Sequence, residues 1–320
     1  MEENTPKDPI DYYNLGNDYA EKGNLEAAIE AYQKALALQP NDLDTLVNLA
    51  NTYADQKELE QAITTYYQAL AVAPKDCDTL FNLSLAYIRK KELEKALEIC
   101  NKALVFFPDD PDLLTNVGFI FFRQNHLTEA INTFDKVLAL QPKDVYVLFL
   151  LGITYSKNKN LEKAVEILEH NLTLDSKHYL SMYHLGLAYE KMGNLDKALS
   201  ILKKAVYLQP NHYKILHSLG WIYLQQQQFQ QAQSLFQKSW QLSQEQYPYA
   251  PMNIGHCLLL QGQSKEALTW YQKSLVLWNG SIGFWEAMEQ DYTTLQMLHK
   301  GIGLKQYQAL LEALERLNHN

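Results

Sequence analysis

Apolar and polar residues follow one another along the chain with the spacing of α-helices, and the pattern returns every 34 residues. In its first occurrence, apolar residues lie three or four positions apart from Leu15 to Tyr19, and again from Leu25 to Leu36. This spacing puts the apolar side chains on one face of a helix. Each repeat is therefore predicted to be two amphipathic helices joined by a short turn.

Eight repeats share a common frame of positions 1 to 34, with one residue inserted in the seventh. They cover residues 9–42, 43–76, 77–110, 111–144, 145–178, 179–212, 213–247 and 248–281. Position 8 is small in every repeat: Gly16, Ala50, Ser84, Gly118, Gly152, Gly186, Gly220 and Gly255. Position 20 is always alanine: Ala28, Ala62, Ala96, Ala130, Ala164, Ala198, Ala232 and Ala267. Position 11 is a large aromatic residue in all repeats but the last, and position 32 is often proline.

Each of these positions has a physical reason. Small residues at positions 8 and 20 are predicted to let the two helices approach closely, while the tyrosine at position 11 fills the space beside them. Gly23, Gly193 and Gly262 fall in the turn between the helices, where a positive φ costs glycine little. Proline at position 32 ends the second helix. The aspartates that follow are predicted N-caps of the next helix: Asp42, Asp76, Asp110 and Asp144.

This signature resembles that of the tetratricopeptide repeat, which has a small residue at position 8, an aromatic residue at 11, alanine at 20 and proline at 32. The resemblance covers residues 9–281 and implies an all-α fold, a right-handed superhelical solenoid of antiparallel helix pairs. Asn171 and Ser176 in the fifth repeat depart from the pattern, as do Pro251 and Asn279 in the eighth. The junction between the fifth and sixth repeats is therefore expected to be looser, or bent.

The segments outside the repeats have separate predictions. Residues 1–8 are predicted to be an N-terminal tail, and residues 282–320 a C-terminal helical cap. Near the C-terminus, five apolar residues share one helical face: Tyr307, Leu310, Leu311, Leu314 and Leu317. A terminal repeat needs such a cap because its apolar face has no further neighbour. The alternative for this segment is a separate docking element.

Composition and charge exclude several classes of protein. A net charge of −9 argues against nucleic-acid binding, because that affinity depends on neutralising phosphates. No apolar run reaches the roughly 18 residues of a membrane span, and the polar, acidic start does not resemble a signal peptide. Cys77, Cys100 and Cys257 are too few and too scattered for a disulfide framework. These cysteines favour a reducing, cytoplasmic location.

The sequence contains few candidates for chemistry. It has no glycine-rich phosphate loop, no GxSxG, no HExxH and no paired cysteines. We therefore predict that the chain is not an enzyme and holds no cofactor. His184 and His217 could approach each other across adjacent repeats, but no carboxylate or thiolate completes a metal site. No metal is expected.

In tetratricopeptide proteins the first helix of each repeat lines a concave groove, with positions 2, 5, 6, 9, 12 and 13 facing inward. Position 6 is asparagine in the first four repeats: Asn14, Asn48, Asn82 and Asn116. This column resembles the asparagine ladder of O-linked N-acetylglucosamine transferase, and such amides can pair with the backbone of an extended peptide. The alternative is that asparagine is merely tolerated there.

Two further columns lie at inward positions. Position 13 carries four successive bases: Arg89, Arg123, Lys157 and Lys191. The alternative for these is ordinary helix-end charge favoured by the helix dipole. The aromatic candidates, with a histidine at position 6 of the sixth repeat, are Phe119, Phe122, Tyr146, Phe149, Tyr183, His184 and Trp221. The aromatic residues are either core between repeats or exposed anchors for a ligand.

These columns predict a non-enzymatic scaffold that binds an extended or helical segment of a partner protein. Its ligand is expected to be extended and acidic, with apolar side chains. The alternative is a regulatory receptor whose superhelix closes on a small peptide or metabolite. A carboxylate clamp for chaperone tails is not expected, because the clamp positions hold Tyr13, Asn17, Asn48, Asp78 and Asn82 and no base.

Overall fold

The computed structural model describes residues 8–279, 282–298 and 312. Within these ranges the regular secondary structure is helical and contains no strand. The apolar face predicted from Tyr307 to Leu317 lies outside the described residues, and so does most of the N-terminal tail. No helix in the described part of the chain has the length and apolar character needed to cross a membrane.

The chain divides into two compact units, residues 1–158 and residues 159–320. The described helices of unit 1 are α1 (Pro9–Glu21), α2 (Leu25–Leu38), α3 (Leu43–Asp55), α4 (Leu59–Val72), α5 (Cys77–Arg89), α6 (Leu93–Leu104), α7 (Pro111–Arg123), α8 (Leu127–Leu140) and α9 (Val145–Lys157). Those of unit 2 are α10 (Leu161–Leu174), α11 (Tyr179–Lys191), α12 (Leu195–Leu208), α13 (Tyr213–Gln225), α14 (Phe229–Leu242), α15 (Tyr249–Leu260), α16 (Ser264–Leu277) and α17 (Ile282–Leu298).

Helices that follow one another in sequence pack together within each unit. In the seven repeats that lie within one unit, the two helices of a repeat are in contact. Within each unit the second helix also packs against the next first helix, and successive first helices touch. In the first seven repeats the first helix begins at position 1, from Pro9 to Tyr213. The predicted all-α architecture of helix pairs is therefore confirmed.

The first helices of repeats two to five are capped at their N-termini by aspartate side chains, as the sequence predicts. The Asp110 carboxylate accepts the backbone N–H of Leu113 at 2.9 Å, and Asp144 accepts that of Val147 at the same distance. Asp42 and Asp76 make the same bond. Each bond satisfies one of the backbone donors left free at a helix start.

The turn inside each repeat requires a left-handed residue at position 15. Gly23, Gly193 and Gly262 occupy it with φ of 74°, 75° and 80°. The other five repeats place a side chain there: Lys57, Lys91, Asn125, Lys159 and Gln227, with φ between 60° and 67°. A left-handed conformation costs an L-residue roughly 1–2 kcal/mol. Helix packing on both sides of the turn must therefore impose this geometry.

Small residues at positions 8 and 20 do permit close helix approach. All eight alanines at position 20 have no exposed surface. A methyl group built on Gly220 would lie 3.3 Å from the carbonyl oxygen of Ala232 and 2.8 Å from the Phe236 ring. The space beside the glycine is filled by position 24, here Phe236. The aromatic residue at position 11 packs beside the same helices, since Tyr19 lies against the cluster that contains Ala28 and Tyr32.

Asn171, at a position where four other repeats have alanine, is accommodated within unit 2. Its side chain has no exposed surface, and its Oδ1 atom accepts a hydrogen bond from the Ser181 hydroxyl at 2.8 Å. A buried amide that is hydrogen-bonded in this way avoids most of the desolvation penalty. The bond also joins α10 to α11 across the junction between the fifth and sixth repeats, where the sequence predicts loosening.

The first helix after the repeats packs on the last of them. Phe284 and Met288 of α17 are buried in the same apolar cluster as Met252 and Tyr271. The fully buried imidazole of His256 lies between the Tyr271 hydroxyl, at 2.6 Å, and a carboxylate oxygen of Asp291 on α17, at 3.2 Å. We propose that α17 begins the C-terminal cap on the strength of these contacts.

Candidate functional site

The asparagine column at position 6 is divided between exposed and structural residues. Asn14 is exposed and Asn82 is half-buried, and neither amide has a hydrogen-bond partner among the described residues. The Asn48 amide donates to Oδ1 of Asn17 at 3.0 Å. Asn116 is buried and donates to the Ser84 hydroxyl of the preceding repeat at 2.9 Å. Two of the four amides therefore join neighbouring repeats, and a uniform ladder is not present.

The basic column at position 13 remains accessible, and three of its residues have identifiable neighbours. The Arg89 guanidinium lies 3.7 Å from the Asp55 carboxylate, and both side chains are about half exposed or more. The Arg123 guanidinium lies 5.7 Å from the centre of the Phe119 ring. Such exposed pairs contribute little to stability, so these charges are available for a ligand.

Lys157, the third base of the column, contacts Phe122 of the preceding repeat. The Lys157 ammonium lies 4.9 Å from the centre of the Phe122 ring and 3.4 Å from the carbonyl oxygen of the same residue. Lys191, in unit 2, is exposed. Cations are thus held against aromatic rings in the fourth and fifth repeats, which the spacing in the sequence did not show.

The aromatic candidates of unit 1 fall into two groups. Phe119 and Phe122 are half-buried with ring centres 6.4 Å apart, and Tyr146 is 55% exposed. Phe149, in contrast, is buried in the packed interior. Phe119, Phe122 and Tyr146 are therefore candidates for ligand anchors. The burial of Phe149 favours the core role among the two predicted for it.

Several predicted residues meet in one cavity of unit 1, with a volume of about 330 Å³. Five predicted in the sequence line it: Arg89, Asn116, Phe119, Arg123 and Tyr146. Four more complete the lining: Leu85, Ile88, Lys91 and Thr115. Sequence reasoning did not single out these four, although Leu85, Ile88 and Thr115 occupy inward positions. We call this the α5–α7–α9 cavity, since first helices supply all of its walls except Lys91, which lies in the turn after α5.

The candidates in unit 2 form a separate group. The Tyr183 ring meets the His184 ring edge-on, with centres 5.0 Å apart. Burial, helped by Lys191 and Lys214, lowers the pKa of His184 to about 4, so the ring is neutral at physiological pH. The Trp221 indole donates to a carboxylate oxygen of Glu190 at 3.2 Å. This hydrogen bond joins Trp221 of α13 to α11 of the preceding repeat.

The two histidines considered as metal ligands have other surroundings. His217 lies 2.9 Å from the Asn253 amide and packs edge-on against the Tyr247 ring. Within residues 8–279 and 282–298, no group of three or more histidine, cysteine, aspartate or glutamate side chains is arranged to hold a metal ion. Asn253, the partner of His217, occupies position 6 of the last repeat.

Models of known protein families match residues 16–289 of the chain between them. The family model described as "Tetratricopeptide repeat protein 21 N-terminal ARM repeat" matches residues 87–289. Models described as "TPR repeat" and "Tetratricopeptide repeat" match residues 16–57 and 41–107. The chain belongs to the tetratricopeptide repeat proteins. No match was found among curated proteins.

Solved structures share the fold at low sequence identity. A tetratricopeptide repeat protein from Parabacteroides merdae is 21% identical with a TM-score of 0.63, covering 81% of this chain and 98% of its own. A chain of the APC/C hetero-tetramer Cut9-Hcn1 is 16% identical with a TM-score of 0.65, covering 83% and 52%. PilF of Pseudomonas aeruginosa is 19% identical with a TM-score of 0.57, covering 67% and 97%. These likenesses show the fold alone. The tetratricopeptide repeat models that match the chain support a protein-interaction scaffold in general.

Proposed function

We propose that the chain is a non-enzymatic scaffold that binds an extended, acidic segment of a partner protein on the first-helix side of unit 1. The α5–α7–α9 cavity carries this proposal, because three successive repeats supply its cations, its aromatic walls and an amide. An acidic peptide with large apolar side chains matches that lining in charge and in polarity. Asn82, with an unpaired amide on α5, is placed to bind the backbone of such a peptide.

We also assign the protein to the cytoplasm. Its three cysteines are free thiols, and burial raises the pKa of Cys100 to about 11 and that of Cys257 to about 12. Thiols of this kind are typical of a reducing compartment.

Charge reversal tests the proposal. Arg123→Glu and Lys157→Glu should slow association with the partner and reduce its dependence on salt, because both exposed cations attract the acidic segment. Binding rates and affinities at several salt concentrations provide the measurement. Lys136→Glu is the matched control, since Lys136 is exposed on α8, a second helix of the same unit.

The folded state should survive these changes, because exposed charges contribute little to stability. Circular dichroism confirms that each variant remains folded. Partner binding that is unchanged by Arg123→Glu and Lys157→Glu, but lost with Lys136→Glu, would contradict the assignment to the first-helix side.

A further inference from the structure

The α5–α7–α9 cavity has an unusual concentration of positive charge for an acidic protein. Arg89, Lys91 and Arg123 all line it, and none of the described residues that line it is acidic. Among the described residues, Arg89 alone of the three has a carboxylate in ion-pair distance, that of Asp55 at 3.7 Å. Three cations balanced by one neighbouring carboxylate leave two positive charges for a ligand.

The two positive charges that remain in the cavity favour a ligand with two negative charges over one with a single carboxylate. One aspartate or glutamate of a partner would neutralise half of it, whereas a phosphate monoester carries about −1.5 to −2 at neutral pH. A phosphate group also offers three acceptor oxygens, which suit the several N–H donors of two guanidinium groups. The cavity therefore matches a phosphate monoester better than one carboxylate.

The other walls of the cavity are largely apolar and aromatic, with the polar Thr115 and Asn116 among them. Leu85, Ile88 and Phe119 form part of the lining, together with the half-exposed Tyr146. Along α7 the lining runs from Thr115 to Arg123, eight residues or about 12 Å at the helical rise. A cavity with aromatic residues in its walls and cationic residues at the C-terminal ends of α5 and α7 fits a ring that carries an anionic group.

We propose that the α5–α7–α9 cavity binds an aryl phosphate, the side chain of a phosphotyrosine in the partner segment. The ring lies against Phe119 and Tyr146, and the phosphate binds Arg89, Lys91 and Arg123. The Arg123 guanidinium, 5.7 Å from the Phe119 ring centre, already lies where ring and phosphate meet. This inference rests on the proposed function and names the group that the scaffold recognises.

The test uses the full chain and three fluorescent peptides that share one alanine-glycine sequence. Their central residue is phosphotyrosine, tyrosine or glutamate. The phosphotyrosine peptide should bind at least roughly tenfold more tightly than either of the others, because charge-assisted hydrogen bonds to a dianion are added. Arg89→Gln and Arg123→Gln should each reduce this preference, and the double variant should abolish it. Lys136→Gln is the matched control and should preserve it.

Competition experiments separate the contribution of the aromatic ring to binding from that of the phosphate. They also show whether the bound aryl phosphate belongs to a peptide or to a small molecule. Phenyl phosphate should displace the phosphotyrosine peptide better than inorganic phosphate does, because only the former contacts the aromatic wall. A peptide that binds more tightly than phenyl phosphate supports a partner side chain as the source. Equal binding of the two would overturn the phosphotyrosine assignment.

Other results would overturn the inference while leaving the scaffold in place. Equal binding of the phosphotyrosine and glutamate peptides, with both lost in Arg123→Gln, contradicts the dianion and retains an acidic-peptide site. Equal competition by inorganic phosphate removes the role of the ring. If none of the peptides binds while partner binding still depends on Arg123, the aryl phosphate assignment is wrong. Circular dichroism melting curves establish that each variant is folded.

Discussion

The contact between Gly118 and Phe134 allows the packing of a repeat to be tested quantitatively. A methyl group on Gly118 would lie 2.5 Å, 2.8 Å and 3.1 Å from three ring carbons of Phe134. Ordinary contacts between carbon atoms are about 3.5–4.0 Å, so the ring would have to move by about 1 Å. Phe134 has no exposed surface and is enclosed by its neighbours, so it cannot move freely.

Gly118→Ala should therefore destabilise the protein despite the better helix propensity of alanine. Overpacking of a core costs about 1–3 kcal/mol, and the propensity gain returns about 1 kcal/mol. We expect a net loss of about 1 kcal/mol in the free energy of unfolding. The third repeat shows a natural solution, since the larger Ser84 at position 8 faces the small Cys100 at position 24.

A double-mutant cycle isolates this contact. In a Phe134→Cys background the added methyl group finds space, so Gly118→Ala should become stabilising by about 1 kcal/mol. Urea unfolding followed by circular dichroism measures all four proteins, with Asn132→Ala on the exposed side of α8 as the control. An effect of Gly118→Ala that is the same in both backgrounds would refute the close-packing explanation.

Four further predictions follow from individual residues. Phe119→Ala should weaken binding of the partner segment by about 2 kcal/mol with little loss of stability, measured by calorimetry. Phe149→Ala should instead lower the free energy of unfolding by about 3 kcal/mol, because its ring is buried; an unchanged urea midpoint would contradict this. The pKa of His184 is lowered to about 4 in the folded protein, so the unfolded state binds the proton more readily. The neutral ring therefore contributes to the free energy of unfolding above pH 6.5, and this contribution is lost as pH falls towards 4. His184→Asn should therefore remove up to about 2 kcal/mol of the stability difference between pH 7 and pH 5, measured by urea unfolding at both values. Deletion of residues 282–320 should expose the cluster around Met252 and Tyr271 and cause aggregation in light scattering; a truncated protein that stays monomeric and equally stable would favour a docking role for this segment.

The sequence predicts the features of the fold that depend on spacing within one repeat. The alanine at position 20 occurs in every copy and an N-cap aspartate such as Asp110 in most of them, so both roles can be predicted from the repeat. Contacts between repeats are harder to foresee. The bond from Asn116 to Ser84 joins residues 32 positions apart, and it depends on rotamers that the sequence does not specify.

The candidate site shows the same division. Its basic column could be predicted because a basic residue occurs at position 13 of four successive repeats. The burial of Phe149 could not, since residues at position 5 are half-buried in some repeats and enclosed in others. Lys91 was missed because it lies in the turn after α5, outside the inward positions of the helix. The bond between His256 and Asp291 was missed because α17 lies beyond the repeats.

Site-specific photo-cross-linking tests the central claim most directly. A benzophenone amino acid replaces Tyr146, which is 55% exposed and lines the α5–α7–α9 cavity, or Tyr67, which is 47% exposed on α4. We predict that the partner is cross-linked from position 146, that Arg123→Glu in the same chain removes this product, and that position 67 gives none. Cross-linking from position 67 with none from position 146 would place the partner on the second helices and contradict the account.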